Sequence, residues 1–507
     1  MSTGTGTGDA AVPADVAPAA EAVPAVDAVP AEVAAGLEPG AREVLTDPGW
    51  KRLHPVTPVL RAWKIVAVAL VVLAQQGLDN LLQARLPGWV LLLVVVGGLA
   101  ALALVTAVYS AVAWRRTRYR IDADAVHIEQ GVLWRQQRRA QLDRLQAVDL
   151  VRPLLGRLFG LAELRLEVAG GAGSKISLAY LKEEEAQVVR NALLAAAAGV
   201  RFAEGEPVVE APQRAVVEVP IPRLLLSTLL SGLTIAVVVV AVGCVVTIVL
   251  TGEVAPLAGL APGVLGLAAA FWNRFNHGFG FSVAESPDGL RLKHGLLEQR
   301  SQTVPPGRVQ ALRISQPLLW RRVDWWRVHV NVAGYGGESG EESADCTVVL
   351  PVGTRDELAR VLAIVLPDLG TGEESPLDVV SSGLTGRGTD GGFTPAPRAS
   401  RRLDPVSWRR HGFRVTDRAF LARSGRVLRS LDVVPHERTQ SLALHQGPLQ
   451  RRLGLASVAL HSTPGPVSPR VDHLAAGVAA ALLAEQAVRA RAARAAAGPE
   501  RWMARES

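Results

Sequence analysis

Four histidines near the C-terminal end, His436, His445, His461 and His473, are the residues of this chain best suited to hold a metal or exchange protons. Zinc sites place histidine and cysteine at short, characteristic separations, which these four do not follow. An early stretch that alternates glycine with threonine lacks the flanking strand and helix of a phosphate-binding turn. No serine or cysteine stands in a context that suggests covalent catalysis. The sequence therefore predicts no catalytic, cofactor-binding or metal-binding residues, and it favours a protein that is not an enzyme and uses no cofactor.

Arginine carries the chemistry that the sequence does indicate, which is the binding of anions. Residues 401–487 hold thirteen arginines against six acids, and residues 135–144 carry a similar basic run. A base near the anionic cytoplasmic leaflet contributes about 1 kcal/mol to membrane binding. A solvated face, or the general excess of bases on the cytoplasmic side, explains the same charges equally well. The candidate lipid- or partner-binding residues are Arg135, Arg138, Arg139, Arg409, Arg410, Arg451 and Arg452.

A polar pattern occurs three times along the chain. In each copy an arginine follows a glycine by thirteen places and a glutamine follows by fifteen; a Pro-Leu pair and a further arginine (Arg157, Arg321 or Arg452) come next. Agreement at several polar positions indicates an internal repeat. The arginine–glutamine pair could mark a functional surface, but hydrogen bonding of an arginine to backbone carbonyls near a turn is the better interpretation. The signature residues are Gly131, Arg144 and Gln146; Gly295, Arg308 and Gln310; and Gly425, Arg438 and Gln440.

Each copy then has the features of a small β-rich module closed by a helix. Apolar and polar residues alternate at 164–168, 328–332 and 457–461, which is typical of half-buried strands. Helices are predicted from Leu181, from Thr354 and over 471–497, and Glu357 stands at the capping-box position after Thr354. The last strand of the third copy is poorly marked because Pro464, Pro466 and Pro469 interrupt that stretch.

Four apolar runs are long enough to be membrane helices, which need about 20 residues. Basic residues flank the runs on one side, and the turns between paired runs have few or none, so both hairpins are predicted to dip outward from the cytoplasm. Asp79 lies where a solvated helix end explains it, although an intramembrane functional acid is the alternative. Cys244 and Cys346 are too few and too differently placed for a disulfide framework. The runs are 63–82, 89–114, 224–250 and 254–272.

These features predict an α+β membrane protein with two transmembrane helical hairpins and three β modules. The predicted divisions are a disordered acidic Ala/Pro tail (1–48), the first hairpin (49–115), the first module (116–200), the second hairpin (214–274), the second module (275–368), a flexible linker (369–400) and the third module (401–498). The third module has no hairpin of its own.

The order of parts resembles the bacterial pleckstrin-homology (PH) membrane proteins of the YdbT-like family. Residues 52–55, Arg-Leu-His-Pro, and the repeated Gly, Arg-x-Gln and Pro-Leu pattern carry the resemblance, which covers about 50–490. It implies that each module is a PH-like bent β-barrel closed by a C-terminal helix, with no known catalytic activity. The proline-rich interruption of the third copy and the acidic tail depart from the pattern.

Two functions from different classes follow. The first is a non-enzymatic scaffold in the plasma membrane, with both termini and all modules in the cytoplasm. Its modules would bind anionic lipid head groups, one another, a partner protein or a second copy of the chain. The alternative is a component of a transport or export system, with a path lined by Gln75, Gln76 and Asp79. Nucleic acid is not an expected partner, because aromatic residues for base stacking are few in the basic runs.

Overall fold

The structure is a computed structural model of the 507-residue chain. The residues that it describes are 49–52, 87–121, 125–131, 134–141, 145–168, 175–198, 214–252, 255–286, 289–304, 306–333, 347–366 and 368–497. The predicted acidic tail and the apolar run 63–82 lie outside these residues.

The first module begins before its membrane hairpin, which corrects the predicted boundary at 116. Strand β1 precedes the hairpin, and it pairs antiparallel with β2 immediately after helix α1, with Lys51 opposite Tyr119. The two segments that flank residues 53–117 therefore meet side by side and pair. The elements are β1 (Lys51–Arg52), α1 (Gly88–Arg116), β2 (Arg118–Ile121), β3 (Ala125–Gln130), β4 (Gln136–Gln141), β5 (Leu145–Pro153), α2 (Leu154–Leu158), β6 (Leu161–Val168), β7 (Lys175–Lys182) and α3 (Glu183–Ala198).

The second module repeats this plan, and the predicted boundary at 275 is corrected in the same way. Strand β8 precedes the helical hairpin and pairs with β9 directly after it. The elements are β8 (Arg214–Glu218), α4 (Ile221–Leu229), α5 (Gly232–Thr251), α6 (Ala255–Gly278), β9 (Ser282–Ser286), β10 (Gly289–His294), β11 (Glu298–Val304), β12 (Val309–Gln316), β13 (Trp326–Val332), β14 (Val348–Gly353) and α7 (Arg355–Val365). Short 3₁₀ turns lie at Pro306–Arg308 and Leu319–Arg322. The predicted capping box of Thr354 and Glu357 at the start of α7 is confirmed.

The third module has ordered secondary structure where a flexible linker and an early helix were predicted, and both predictions were wrong. The segment 369–400 forms helix α8 and strand β15, and it buries Val379, Val380, Leu384 and Phe393. The helix predicted from 471 begins only at Ala476, after a complete strand β21. The elements are α8 (Pro376–Thr385), β15 (Thr394–Pro395), β16 (Gly412–Val415), β17 (Ala419–Ser424), β18 (Arg429–Pro435), β19 (Ser441–His445), α9 (Pro448–Arg452), β20 (Leu455–His461), β21 (Arg470–Ala475) and α10 (Ala476–Ala496); 3₁₀ turns cover Asp390–Gly392, Arg398–Arg402, Trp408–Arg410 and His436–Arg438.

Each module consists of an N-terminal half-sheet of four strands and a C-terminal half-sheet of three strands. The half-sheets of neighbouring modules are fused: β7-β6-β5 continues into β11-β10-β9-β8, and β14-β13-β12 continues into β18-β17-β16-β15. The expected barrels are therefore open, because an edge that could close each one is hydrogen-bonded to a neighbouring module. The two remaining sheets, β1-β2-β3-β4 and β19-β20-β21, stand at the two ends of the array.

Two helices in the described residues are long and apolar enough to cross a membrane, over Val96–Arg116 and Thr234–Thr251. The first lies in α1, as the run 89–114 predicted. The predicted span 224–250 is corrected, because one helix ends at Leu229 and the membrane-length helix α5 begins only at Gly232. Its first part is the separate helix α4, whose residues Leu224, Ser227 and Thr228 are buried. The run 254–272 lies within α6, which continues to Gly278.

Apolar packing joins the second and third modules but leaves the first module with a core of its own. The first module has its own core, which α3 closes through residues such as Val189 and Leu193. A larger core begins in the second module and continues into the third, where Leu431 and Val433 of β18 join it. The other face of the third module packs under α10. The second and third modules thus share apolar surface as well as backbone hydrogen bonds.

Candidate functional site

The three signature glycines form the same turn, which explains their recurrence. Gly131, Gly295 and Gly425 have φ angles of +121°, +109° and +72°, a region that side-chain-bearing residues rarely adopt. An added Cβ would lie 1.9–2.0 Å from the carbonyl oxygen three residues further on. The glycines are therefore required by the turn between the third and fourth strands of each N-terminal half-sheet.

In the second and third copies, where the structure describes them, the signature arginines and glutamines do not form one repeated surface. Arg438 donates a hydrogen bond to the carbonyl of Gly307 in the preceding module at 2.5 Å. Gln310 is buried and contacts the carbonyl of Arg308 at 3.4 Å, whereas Gln440 is exposed. Arg144 and the side chain of Gln146 lie outside the described residues. The Arg438 contact is of the kind that the structural interpretation predicts, and it adds that the bond crosses between modules.

In the first two copies, the arginine after the Pro-Leu pair has a role that the sequence did not reveal. Arg157, in α2, donates to the carbonyl of Leu296 in the glycine turn of the second module at 2.6 Å. Arg321 donates to the carbonyl of Val427 at 2.8 Å, and also to that of Arg426, in the glycine turn of the third module. Both arginines thus bridge neighbouring modules. The recurrence of this arginine was visible in the sequence, but its partner was not, because the contact joins separate copies.

Two strand pairings, called junction 1 (β5 with β11) and junction 2 (β12 with β18), carry most of the contact between modules. In junction 1, Leu150 lies opposite Ser301, and Arg165 of β6 forms a 2.8 Å ion pair with Glu298. In junction 2, Arg313 lies opposite Asp432, and the two form a bidentate ion pair. The hydrogen bond to Asp432 raises the pKa of Arg313, which is therefore charged at physiological pH.

The proline-containing loop of the third module docks on the second module rather than disrupting the fold. The loop between β20 and β21 lies against Asn331 of β13, which is fully buried. The Asn331 amide donates to the carbonyl of Val467 at 2.7 Å and accepts from its N–H at 2.9 Å. Such reciprocal hydrogen bonds satisfy a buried amide. The stretch that weakened the strand prediction therefore docks on the second module.

The predicted basic surface divides into separate groups, and one member does not belong to it. Arg410 is only 3% exposed, and its guanidinium donates to the carbonyls of Gly383, Gly386 and Gly425 at 2.6–3.1 Å. Burial, together with neighbouring arginines, lowers the pKa of Arg410 to about 9. Arg410 is thus corrected from a surface residue to a structural one. It helps to hold the segment predicted as a linker, as does the fully buried Arg423, which donates to the carbonyl of Gly388 at 2.6 Å.

The other predicted arginines lie in three places. Arg135, Arg138 and Arg139 lie on or beside β4, and only Arg138 is half-buried. The guanidinium of Arg409 lies 5.3 Å from the ring centre of Trp408. The remaining exposed pair, Arg451 and Arg452, ends α9. Exposed arginines on or beside edge β4, at Arg409 and on α9 therefore stay the candidate anion-binding groups.

The histidines of the third module are not gathered into one site. His436 is buried; its Nε2 lies 2.8 Å from the Thr416 carbonyl and its Nδ1 lies 2.8 Å from the Gln486 amide nitrogen. Nε2 therefore donates, Nδ1 accepts, and the ring is neutral. His473 instead contacts Gln450 at 2.9 Å. Within the parts of the chain that the structure describes, no group of three His, Cys, Asp or Glu residues is placed to hold a metal.

The second hairpin is attached firmly to its module at both ends. The indole N–H of Trp320 donates to the carbonyl of Ser227 in α4 at 3.1 Å, and Arg223 forms a 2.6 Å ion pair with Glu357. At the other end, Asn276 of α6 accepts two hydrogen bonds from the glycine turn, both at 2.9 Å. Its backbone carbonyl accepts from the N–H of Leu296, and its side-chain oxygen accepts from the N–H of Leu297. The residues of the alternative transport path, at 75, 76 and 79, lie outside the described residues.

The open PH-like half-sheets and the apolar helices that enter them define the class of protein. The family model described as bacterial PH domain matches residues 66–197, 226–367 and 396–492, which is more than half of the chain. The chain therefore belongs to the bacterial PH domain family, as a membrane-associated member with an internal repeat. It is similar to the UPF0699 transmembrane protein YdbT of Bacillus subtilis (strain 168), with 25% identity over 289 residues. The match covers 51% of this chain and 58% of that relative. No solved structure matches.

Proposed function

We propose that this chain is a multi-pass plasma-membrane scaffold without enzymatic activity, whose PH-like modules lie in the cytoplasm and bind anionic lipid head groups and partner proteins. The observation that carries the proposal is the continuity of the array. The three modules share two seven-stranded sheets, and apolar helices run directly into them. Such a body presents several surfaces at fixed separations, which is what a scaffold requires.

The attachment of helices to sheets supports the anchoring role. Only Thr117 separates α1 from β2, and α6 ends four residues before β9 begins. Helix α4 and Asn276 add side-chain contacts on both sides of the second hairpin. Because these connections are short and hydrogen-bonded, the hairpins would hold the first two modules close to the bilayer surface.

Charge supports the orientation and the lipid-binding role. Arg115 and Arg116 end α1, and no base lies in the turn between α5 and α6. Cytoplasmic ends of membrane helices are enriched in such bases. The exposed Arg139, Arg451 and Arg452 could then reach the same leaflet, where each base contributes about 1 kcal/mol of membrane binding.

Vesicle binding by the full-length protein tests the lipid-binding role. The protein would be held in nanodiscs of phosphatidylcholine and mixed with vesicles of phosphatidylcholine alone or with phosphatidylserine. We expect co-flotation only with the anionic vesicles, and about five-fold weaker binding for Arg451→Ala and for Arg452→Ala alike, the equivalent of about 1 kcal/mol each. Equal flotation with both vesicle types would contradict the role. Gln440→Ala, an uncharged exposed change in the same module, is the matched control.

Labelling of single cysteines tests the orientation. With Cys244 and Cys346 replaced by serine, Val427→Cys reports on the third module and Gly252→Cys on the turn between α5 and α6. A thiol reagent that does not cross membranes should label only Gly252→Cys in intact cells, and both variants in opened cells. Labelling of Val427→Cys in intact cells would place the modules outside and refute the orientation.

A further inference from the structure

The two junctions between modules are copies of one interface. In junction 1, Ser301 lies opposite Leu150; in junction 2, Leu431 lies opposite Ile314. Ser301 and Leu431 each lie six places after their module's glycine, and Leu150 and Ile314 each lie nineteen places after theirs. The C-terminal half-sheet of one module therefore receives the fourth strand of the next module in the same register both times.

The arginine after the Pro-Leu pair repeats together with the strand register. Arg157 in junction 1 and Arg321 in junction 2 donate to carbonyls one or two places after the signature glycine of the following module. Each junction thus combines an antiparallel strand pair with one charged hydrogen bond to a turn. Bonds of this type are stronger than those between neutral groups.

Both halves of this interface occur once more in the chain without a partner strand. Among the described strands, β4 pairs only with β3, and β19 pairs only with β20. Leu444 of β19, nineteen places after Gly425, is 43% exposed, whereas its counterparts Leu150 and Ile314 are 2% and 0% exposed. Gln137 of β4, six places after Gly131, is exposed as well. A leucine left in water at a position that is otherwise buried indicates a missing neighbour.

We propose that β4 of one copy of this chain pairs antiparallel with β19 of a second copy, in the register of the two internal junctions. Gln137 then lies opposite Leu444, Arg138 lies opposite Ala443, and Arg452 of the second copy takes the place that Arg157 and Arg321 hold near the signature glycine, here Gly131. Gly447, an extra residue relative to the other two copies, lies at the place of the last pair of junction 1 and one place beyond the last pair of junction 2, so the register before it is unchanged.

The chemistry of the two edges permits this pairing. Neither β4 nor β19 contains a proline, the residue that most directly blocks edge pairing, and no like charges lie opposite each other in this register. The partner surface is different on the two copies, so the contact is head-to-tail and can continue into a ring or a filament. This association is independent of lipid binding.

Cysteine crosslinking in native membranes tests the register. With the native cysteines replaced by serine, cells would carry two differently tagged populations, one with Gln137→Cys and the other with Leu444→Cys. We expect oxidation to give a disulfide between the two tags, and none when Val478→Cys, on the exposed face of α10, replaces Leu444→Cys. Two results would overturn the proposal. One is an equal disulfide yield when Gln137→Cys is combined with Leu444→Cys or with Val478→Cys. The other is a disulfide within a single polypeptide in a variant that carries both Gln137→Cys and Leu444→Cys.

A pair of adjacent arginines separates self-association from lipid binding. Arg451 and Arg452 are both exposed, but only Arg452 lies four places after the proline of the Pro-Leu pair, as Arg157 and Arg321 do. Self-association would be measured by energy transfer between donor- and acceptor-labelled protein in phosphatidylcholine vesicles, as a function of protein density. We expect Arg452→Ala to weaken association about ten-fold and Arg451→Ala to leave it unchanged. Both variants should melt at the wild-type temperature. Equal weakening by both, or no energy transfer above that of randomly placed monomers, would refute the proposal, whatever the result with anionic vesicles.

Discussion

The ion pair between Arg313 and Asp432 allows the contact between the second and third modules to be measured. The two residues lie opposite each other in junction 2, and the guanidinium meets the carboxylate oxygens at 2.6 and 2.7 Å. Asp432 is 4% exposed, while the Arg313 side chain is 30% exposed. Asp432→Asn removes the negative charge with little change in volume, so we expect it to weaken junction 2.

The magnitude follows from the exposure of the two partners. Removing one member of a fully buried pair costs about 3–5 kcal/mol, because the remaining charge has lost its partner. Here water reaches Arg313, and the carbonyls of Pro466 and Ser468 lie 3.3 and 3.4 Å from its guanidinium. We therefore expect a smaller loss for Asp432→Asn, about 2–3 kcal/mol. Replacing both residues by Arg313→Met and Asp432→Leu should cost less, because no charge is then left alone.

Native-state hydrogen exchange of the full-length protein in nanodiscs measures this loss strand by strand. Amides of β12 and β18 should exchange about 30- to 150-fold faster in Asp432→Asn, the equivalent of about 2–3 kcal/mol. Amides of β3 in the first module should keep their rates, because no part of junction 2 touches them. Unchanged exchange in both β12 and β18, or a double replacement as destabilising as the single one, would refute the reasoning.

Three further predictions concern single residues. Gly425→Ala should destabilise the third module by about 2 kcal/mol or more, because its Cβ would clash with a backbone oxygen at 1.9 Å and its φ is left-handed. Gly454→Ala, at φ +65° with open space around it, should cost only about 1 kcal/mol. Thermal unfolding of the two variants compares these losses. Burial lowers the pKa of His436, so below the ordinary value of about 6.5 the unfolded chain binds a proton that the fold excludes, and stability should fall with decreasing pH by up to about 1.4 kcal/mol per unit. Melts between pH 7.5 and 5.5 should show a smaller slope for His436→Gln; an unchanged slope would contradict the assignment. Trp320→Phe leaves the carbonyl of Ser227 without its hydrogen-bond donor. Amides of α4 should then exchange about ten-fold faster, which corresponds to a loss of about 1–2 kcal/mol.

The sequence revealed the repeat and most strands because both depend on patterns within one copy. Alternation predicted β6, β13 and β20, and the capping residues predicted the start of α7. The strand before each hairpin was missed because β1 and β8 are short and lie far in sequence from β2 and β9, their partners. Local sequence patterns cannot reveal a pairing between strands that are far apart in the sequence, even where the chain between them brings the strands side by side.

The linker prediction failed for a different reason. The segment 369–400 is rich in glycine, serine and threonine, a composition typical of flexible chain. Its backbone carbonyls are nevertheless satisfied by the buried guanidinium groups of Arg410 and Arg423, which were assigned to a basic surface or left without a role. A guanidinium offers five donors in fixed directions, so it can hold several carbonyls of an otherwise irregular segment. Charge counts cannot distinguish such an arginine from a solvated one.

The ordered segment also explains how the third module exists without membrane helices. In the second module a helical hairpin separates the first and second strands of the N-terminal half-sheet, and in the first module helix α1 precedes the second strand; in the third, the segment 396–411 with its 3₁₀ turns takes that place between β15 and β16. If the helices anchor the first two modules as proposed, the third module is held at the bilayer through junction 2 and through any lipid contacts of its own. A weakened junction 2 should then free this module, with its exposed β19 edge, while the first two modules keep their membrane attachment.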